Sequence, residues 1–113
     1  MILNKDVFIC ITILFLSQIV IWFQLNGQLK WDWFKENYLF MSLMGNPISY
    51  MILLTTKYGF QGFGELWPVR LLGFATGMIS FPIITYLILG EGITIKTGIS
   101  IFLAVIIMII QLI

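Results

Sequence analysis

Val7 to Leu25 reads VFICITILFLSQIVIWFQL, a run without a single charge. A helix crossing a bilayer needs about 17 to 25 mostly apolar residues, because in hydrocarbon the backbone N–H and C=O groups must be satisfied within the segment itself. This stretch is long enough to do so. Working outward from it, three further runs follow: Tyr38 to Leu54, Leu66 to Leu89 and Gly98 to Ile113, all uncharged except for Arg70. The expected fold is an all-α membrane protein with four transmembrane helices and short loops. It forms a single domain over 1–113, because the joints are too short to hold folded structure of their own.

Composition leads to the same class independently. The chain is 60% hydrophobic and 10% charged, with a mean hydropathy of +1.05, too little polar surface to cover a soluble globule. The first run is followed by Asn26, Gly27, Gln28 and Leu29 rather than by a small-residue cleavage site, so it is expected to be a retained helix and not a signal peptide. A net charge of +1 with no basic run removes the electrostatic footprint of a nucleic-acid binder. One cysteine, Cys10, and no histidine exclude an intrachain disulfide and a Cys/His zinc site. No metal and no cofactor are expected. Nothing pairs a nucleophile with a base, so an enzyme is not expected either. The chain reads as a multi-pass integral membrane protein, with lipid as its first partner and a cell inner membrane as the expected host.

The joints carry interfacial signals. Between the first and second runs, Trp31 and Trp33 stand beside Lys30 and Lys35, the arrangement of an aromatic belt at headgroup level. The second joint, Thr55 to Glu65, holds Lys57, Tyr58, Gly59, Gly62 and Gly64 and reads as a glycine-rich turn. The third spans Gly90 to Thr97. Lysine and arginine divide evenly: Lys5, Lys57 and Arg70 on one side, Lys30, Lys35 and Lys96 on the other. Balanced flanks set no orientation and permit an antiparallel homodimer with its two-fold axis in the membrane plane. A partner protein or local lipid that fixes one orientation is the competing reading.

Polar groups within apolar runs are costly unless paired, so they are where function is sought. In the second run Ser42, Asn46, Ser49 and Tyr50 fall on one helical face; that face must look at protein or at water. Pro47 beside them predicts a kink. The first run adds Ser17, Gln18 and Gln24, and the third adds Arg70, Thr76, Ser80 and Thr85, with a second proline at Pro82. Such residues serve widely as glue between helices, at about 0.6 kcal/mol each. Prolines beside polar side chains on two helices are also how transporters build sites within the membrane. The expected solute-binding set is Gln18, Asn46, Tyr50, Arg70 and Ser80. Arg70 is its one charge, suited to a carboxylate or phosphate, or else an interfacial anchor with Glu65 and Trp67. Gly73 with Gly77, and Ser100 with Ala104, are small-xxx-small steps expected to pack helices closely.

With Gly27-Gln28-Leu29-Lys30 closing the first helix, and Leu89-Gly90-Glu91 leading into a hydrophobic last helix, the chain resembles a small four-helix member of the drug/metabolite transporter superfamily, related to the small multidrug resistance proteins. The resemblance spans the whole chain in length and spacing. It implies a dimer that moves a small solute. Small multidrug resistance proteins carry a glutamate inside the first helix that binds proton and cation in competition; the corresponding position here is near Trp22, and no acid occurs between Val7 and Leu25. The resemblance therefore implies transport without that coupling, of a small polar or anionic solute. The alternative is a non-transporting membrane subunit or scaffold whose Ile-rich last helix docks in a larger complex.

Overall fold

The structure is a computed structural model that describes residues 4–113. Asn4 caps the first helix, α1 (Lys5–Asn26), by accepting from the Val7 N–H at 3.0 Å, with Asp6 in the first turn, where a negative charge meets the positive end of the helix dipole. A single 3₁₀ turn, Gly27–Leu29, carries the chain to α2 (Asp32–Glu36) and α3 (Tyr38–Leu43). α4 (Gly45–Phe63) follows after a break at Met44. The break lies one turn before Pro47, which has no N–H to give the Leu43 carbonyl. α5 (Trp67–Leu89) starts with Pro68 in its first turn and continues unbroken through Pro82. Thr94 caps α6 (Ile95–Leu112), its hydroxyl accepting from the Thr97 N–H. α4 and α5 both end on a left-handed residue, Gly64 at φ 75° and Gly90 at φ 71°, a conformation in which a Cβ is strained.

All regular structure among the described residues is helical, and four segments are long and apolar enough to cross a membrane: Lys5–Leu29, Tyr38–Phe63, Trp67–Leu89 and Ile95–Leu112. Two boundaries differ from the expected ones by more than two residues. The second helix does not stop at Leu54 but runs to Phe63, so most of the supposed glycine-rich turn is helix. The last helix starts at Ile95, ahead of Gly98.

Gly59 and Gly62 explain the first difference. A Cβ on Gly59 would lie 2.6 Å from Val69 Cγ2 and 3.0 Å from Cys10 Sγ; one on Gly62 would lie 2.6 Å from Val7 Cγ2 and 2.9 Å from the Val7 nitrogen. These glycines let α4 close onto α1 and α5. The chain turns only at Gly64 to Leu66. Asn4 fastens this end, donating from Nδ2 to the Gly62 carbonyl at 3.1 Å.

α1 lies between α4 and α5, and α6 packs on α5. The molecule measures 44 × 35 × 18 Å. It is about half as thick as it is wide, and the helices stand as a slightly folded fence. Cys10, Leu14, Val69 and Leu72 form the buried centre, with Met108 of α6 reaching it. Ala104 is the one buried residue of α6, so the Ser100 and Ala104 step places Ala104 in the packed seam.

At the opposite end from Asn4, Lys30 Nζ donates to the Ile88 carbonyl at 2.7 Å and caps α5. Phe23 stacks on Trp31 with ring centroids 6.0 Å apart, and Trp31, Phe34, Trp33 and Phe40 continue the chain of rings. The aromatic joint is thus one connected platform at the Lys30 end of the fence.

Candidate functional site

A groove of about 490 Å³ runs between α4 and α5, with α1 as its floor. Helical spacing builds each wall. Leu14 and Gln18 of α1 are four apart; Ile52, Thr55 and Thr56 of α4 and Arg70, Gly73 and Phe74 of α5 each follow i, i+3, i+4, which puts them on one face. Val69 and Leu71 complete the lining.

The polar atoms of the floor are mostly spent within the protein. Gln18 Nε2 donates to the Gly73 carbonyl at 3.2 Å. Gln18 Oε1 would lie 3.1 Å from a Cβ at Gly77. The step at Gly73 and Gly77 therefore seats a glutamine side chain rather than a neighbouring backbone. Thr55 and Thr56 donate their hydroxyls to the Ile52 carbonyl at 2.7 and 3.1 Å, keeping only oxygen lone pairs for a guest. Arg70 is exposed and is the only charged residue in the lining. No carboxylate faces it across the groove. One fixed cation with a donor fork, set among Leu14, Ile52, Val69, Leu71 and Phe74, suits an anion that carries an apolar body.

Depth follows from the helix rise. Arg70 is in the first turn of α5, and at about 1.5 Å per residue Gly73 lies only about 9 Å beyond Trp67. The groove thus opens near the end of the fence that carries Lys5, not at its middle.

Of the five residues expected to bind solute, the fold brings two together, Gln18 and Arg70. Asn46 and Tyr50 lie on the outer face of α4, turned away from the groove, with Tyr50 64% exposed. Ser80 is buried on α5, ten residues beyond Arg70 and outside the groove. Thr55 and Thr56 are groove residues that the expected joint from Thr55 to Glu65 hides, because it puts them in a turn. The signal was present: Ile48, Ile52, Thr55, Gly59 and Gly62 continue a single helical stripe.

A second missed contact lies at the position where the resemblance puts a glutamate. Trp22 is 1% exposed and donates from Nε1 to Thr85 Oγ1 at 2.9 Å. A buried indole needs an acceptor, and a threonine on the facing helix supplies it. That position holds a structural hydrogen bond between α1 and α5.

A smaller hollow of about 290 Å³ between α5 and α6 is lined in part by Pro82, Thr85, Glu91, Lys96 and Ser100. Its mouth carries both signs of charge and no net attraction for an ion. Among the described residues no three His, Cys, Asp or Glu side chains come together as a metal site would require. Compared with family models, curated proteins and solved structures, the chain matches none.

Proposed function

We propose that this protein is a four-span integral membrane protein that binds a small anionic solute in the groove between α4 and α5 and moves it as part of a dimer. The observation that carries this reading is Arg70, a permanent cation with no carboxylate beside it in an otherwise uncharged groove. Its guanidinium would grip a carboxylate or phosphate bidentately, and the apolar walls would cover the rest of the solute. A fence 18 Å thick encloses no path through a single copy, so carriage requires a second wall, supplied by another copy.

Purified protein in liposomes tests the proposal through uptake of small carboxylates and phosphates. Arg70→Gln keeps polarity and much of the length while losing charge and fork; uptake is expected to fall to background with the protein still folded. Arg70→Lys keeps charge without the fork and is expected to retain part of the activity. Equal uptake by wild type and Arg70→Gln, or a strict preference for cations, would reduce Arg70 to an interfacial anchor.

A second reading, a non-transporting membrane subunit, has its own support in the polar stripe that α4 turns outward. Binding of anions at Arg70 without any flux would favour it. A groove filled by a lipid phosphate would show itself as binding that follows the anionic lipid content of the vesicle and not the added solute.

A further inference from the structure

The groove beside Arg70 changes in polarity along its length. Its lips are two pairs of residues four apart, Ile52 with Thr56 on α4 and Arg70 with Phe74 on α5, and all four side chains are exposed. α4 runs into the turn at Gly64 to Leu66 and α5 runs out of it, so Thr56 and Arg70 lie nearer the turn, with Ile52 and Phe74 one helical turn deeper in the span. Deeper than Arg70 the lining is mainly Leu14, Ile52 and Phe74, and the Gln18 amide there already donates to the Gly73 carbonyl. Toward the turn the same cleft continues as a second hollow of about 400 Å³, in which Thr56, Val69 and Arg70 recur beside Leu66 and Trp67. Trp67 is exposed, at the position of a headgroup-level anchor. Arg70 is therefore one fixed cation, one turn inside the interface, with apolar wall on both sides of it along the cleft.

We infer that the guest of this groove is an amphiphile with one carboxylate and one hydrocarbon chain, which enters sideways from the leaflet and not from water. Three arguments select it. First, one guanidinium neutralises one carboxylate and its fork fits both oxygens; a phosphate monoester, at a charge of about −1.5 to −2, would keep part of that charge uncompensated among apolar walls. Second, an ion arriving from water at the turn end would pass the hollow lined by Leu66, Trp67 and Val69, losing its hydration where nothing offsets the loss. The exposed lips leave the side toward the leaflet open, and an amphiphile in the leaflet already holds its head just inside the level of Trp67. Third, a groove of about 490 Å³ has the size of a single drug-sized guest, and its apolar part lies deeper than its charge, the order of head and chain in a leaflet. A chain leaving lipid for this groove exchanges one apolar surround for another, so the carboxylate and Arg70 decide the affinity. The inference rests on the anion reading of this groove for its site, and adds the chain and the route.

The test uses wild-type protein in phosphatidylcholine liposomes, a stearic acid probe with a photoactivatable diazirine near its carboxylate, and alkaline buffer, in which a carboxylate is ionised. Labelling is expected on the groove lips, at Ile52, Thr56 or Phe74, as mapped by mass spectrometry. Arg70→Gln is expected to reduce it about tenfold, the effect of losing a hydrogen-bonded charge. The matching alcohol probe keeps the chain without the anion and needs no variant; it is expected to label the wild type as weakly as the acid labels Arg70→Gln. Unlabelled stearate is expected to displace the probe, and acetate at the same concentration to leave it in place. The inference is overturned by equal labelling with the alcohol, by equal labelling of Arg70→Gln, by displacement with acetate, or by phosphatidylglycerol displacing the probe as well as stearate does. Arg70-dependent uptake of small carboxylates without stearate labelling would defeat the inference and leave the carrier reading standing; Arg70-dependent labelling of a protein that carries no anion across the bilayer would do the reverse.

Discussion

At the residue scale, the glycines separate into those that the packing requires and those that it tolerates. Gly59→Ala would press a methyl group into Val69, whose Cγ2 stands 2.6 Å away and is itself buried. Overpacking of that kind costs about 1 to 3 kcal/mol, so Gly59→Ala is expected to lower the midpoint of thermal unfolding in detergent. Gly92→Ala, with nothing within 4 Å of the new Cβ, is the control and should unfold with the wild type. Equal loss in both variants would mean that α4 does not lie as close to α5 as Gly59 allows. Arg70 and Gln18 illustrate the other half of residue-scale reading. Both were legible as unusual groups in apolar runs, but only contact distinguished a glutamine bonded to a backbone carbonyl from an arginine with no carboxylate in the groove it lines.

At the element scale, the break at Met44 and the seam between α5 and α6 are the two joints whose strength can be measured. Pro47 leaves the Leu43 carbonyl without its donor, and Gln24 Nε2 holds the Met41 carbonyl beside the break at 3.1 Å. Pro47→Ala supplies the missing N–H and removes a residue worth up to about 3 kcal/mol against a helix interior. The variant is expected to run as one helix from α3 into α4, seen as slow hydrogen exchange at the new amide of position 47 and a gain in helicity. If exchange at that amide is fast, the Gln24 bond and not the proline sets the break. Ala104 is the buried point of α6, so Ala104→Leu should loosen α6 from α5 at a cost of about 1 to 3 kcal/mol. Measured as earlier proteolysis or unfolding of α6, no change would place Ala104 in a looser seam.

At the scale of the whole molecule, thickness decides more than any side chain. A fence of 18 Å exposes both of its faces, and large apolar side chains such as Leu39, Leu53, Phe102 and Ile110 stand out from it, where lipid would cover them. Its polar groups divide between a groove on the Lys5 side and a stripe on the Lys30 side of α4. Lysine and arginine are balanced across the two ends of the fence, and balanced flanks set no orientation. Gly92→Cys, in the open joint after α5, is therefore expected to label with a membrane-impermeant maleimide in about half the protein from each side of sealed vesicles. Labelling from one side only would mean that something other than the charge balance governs insertion.

Four apolar runs, their order and their all-helical nature were determined by sequence alone, because a stretch too apolar for water and too long for a turn has only the helix in which to satisfy its backbone. The caps at Asn4, Thr94, Gly64 and Gly90 are equally local. Which side of each helix meets which neighbour was not determined, because α1 and α5 are apolar nearly all round and periodicity marks no single face on them. Sequence could group Ser42, Asn46, Ser49 and Tyr50 on one face, yet not say that Asn46 and Tyr50 turn outward while Ser42, in α3 before the break, borders a hollow beside Gln24 of α1 and Gln28 of the first joint. It read Gly59 and Gly62 as a turn, since a glycine needed for backbone freedom and one needed for close approach look the same until the second helix is in place. Only the tertiary structure decided that, since the distance between helices is a property of the pair and not of either chain segment.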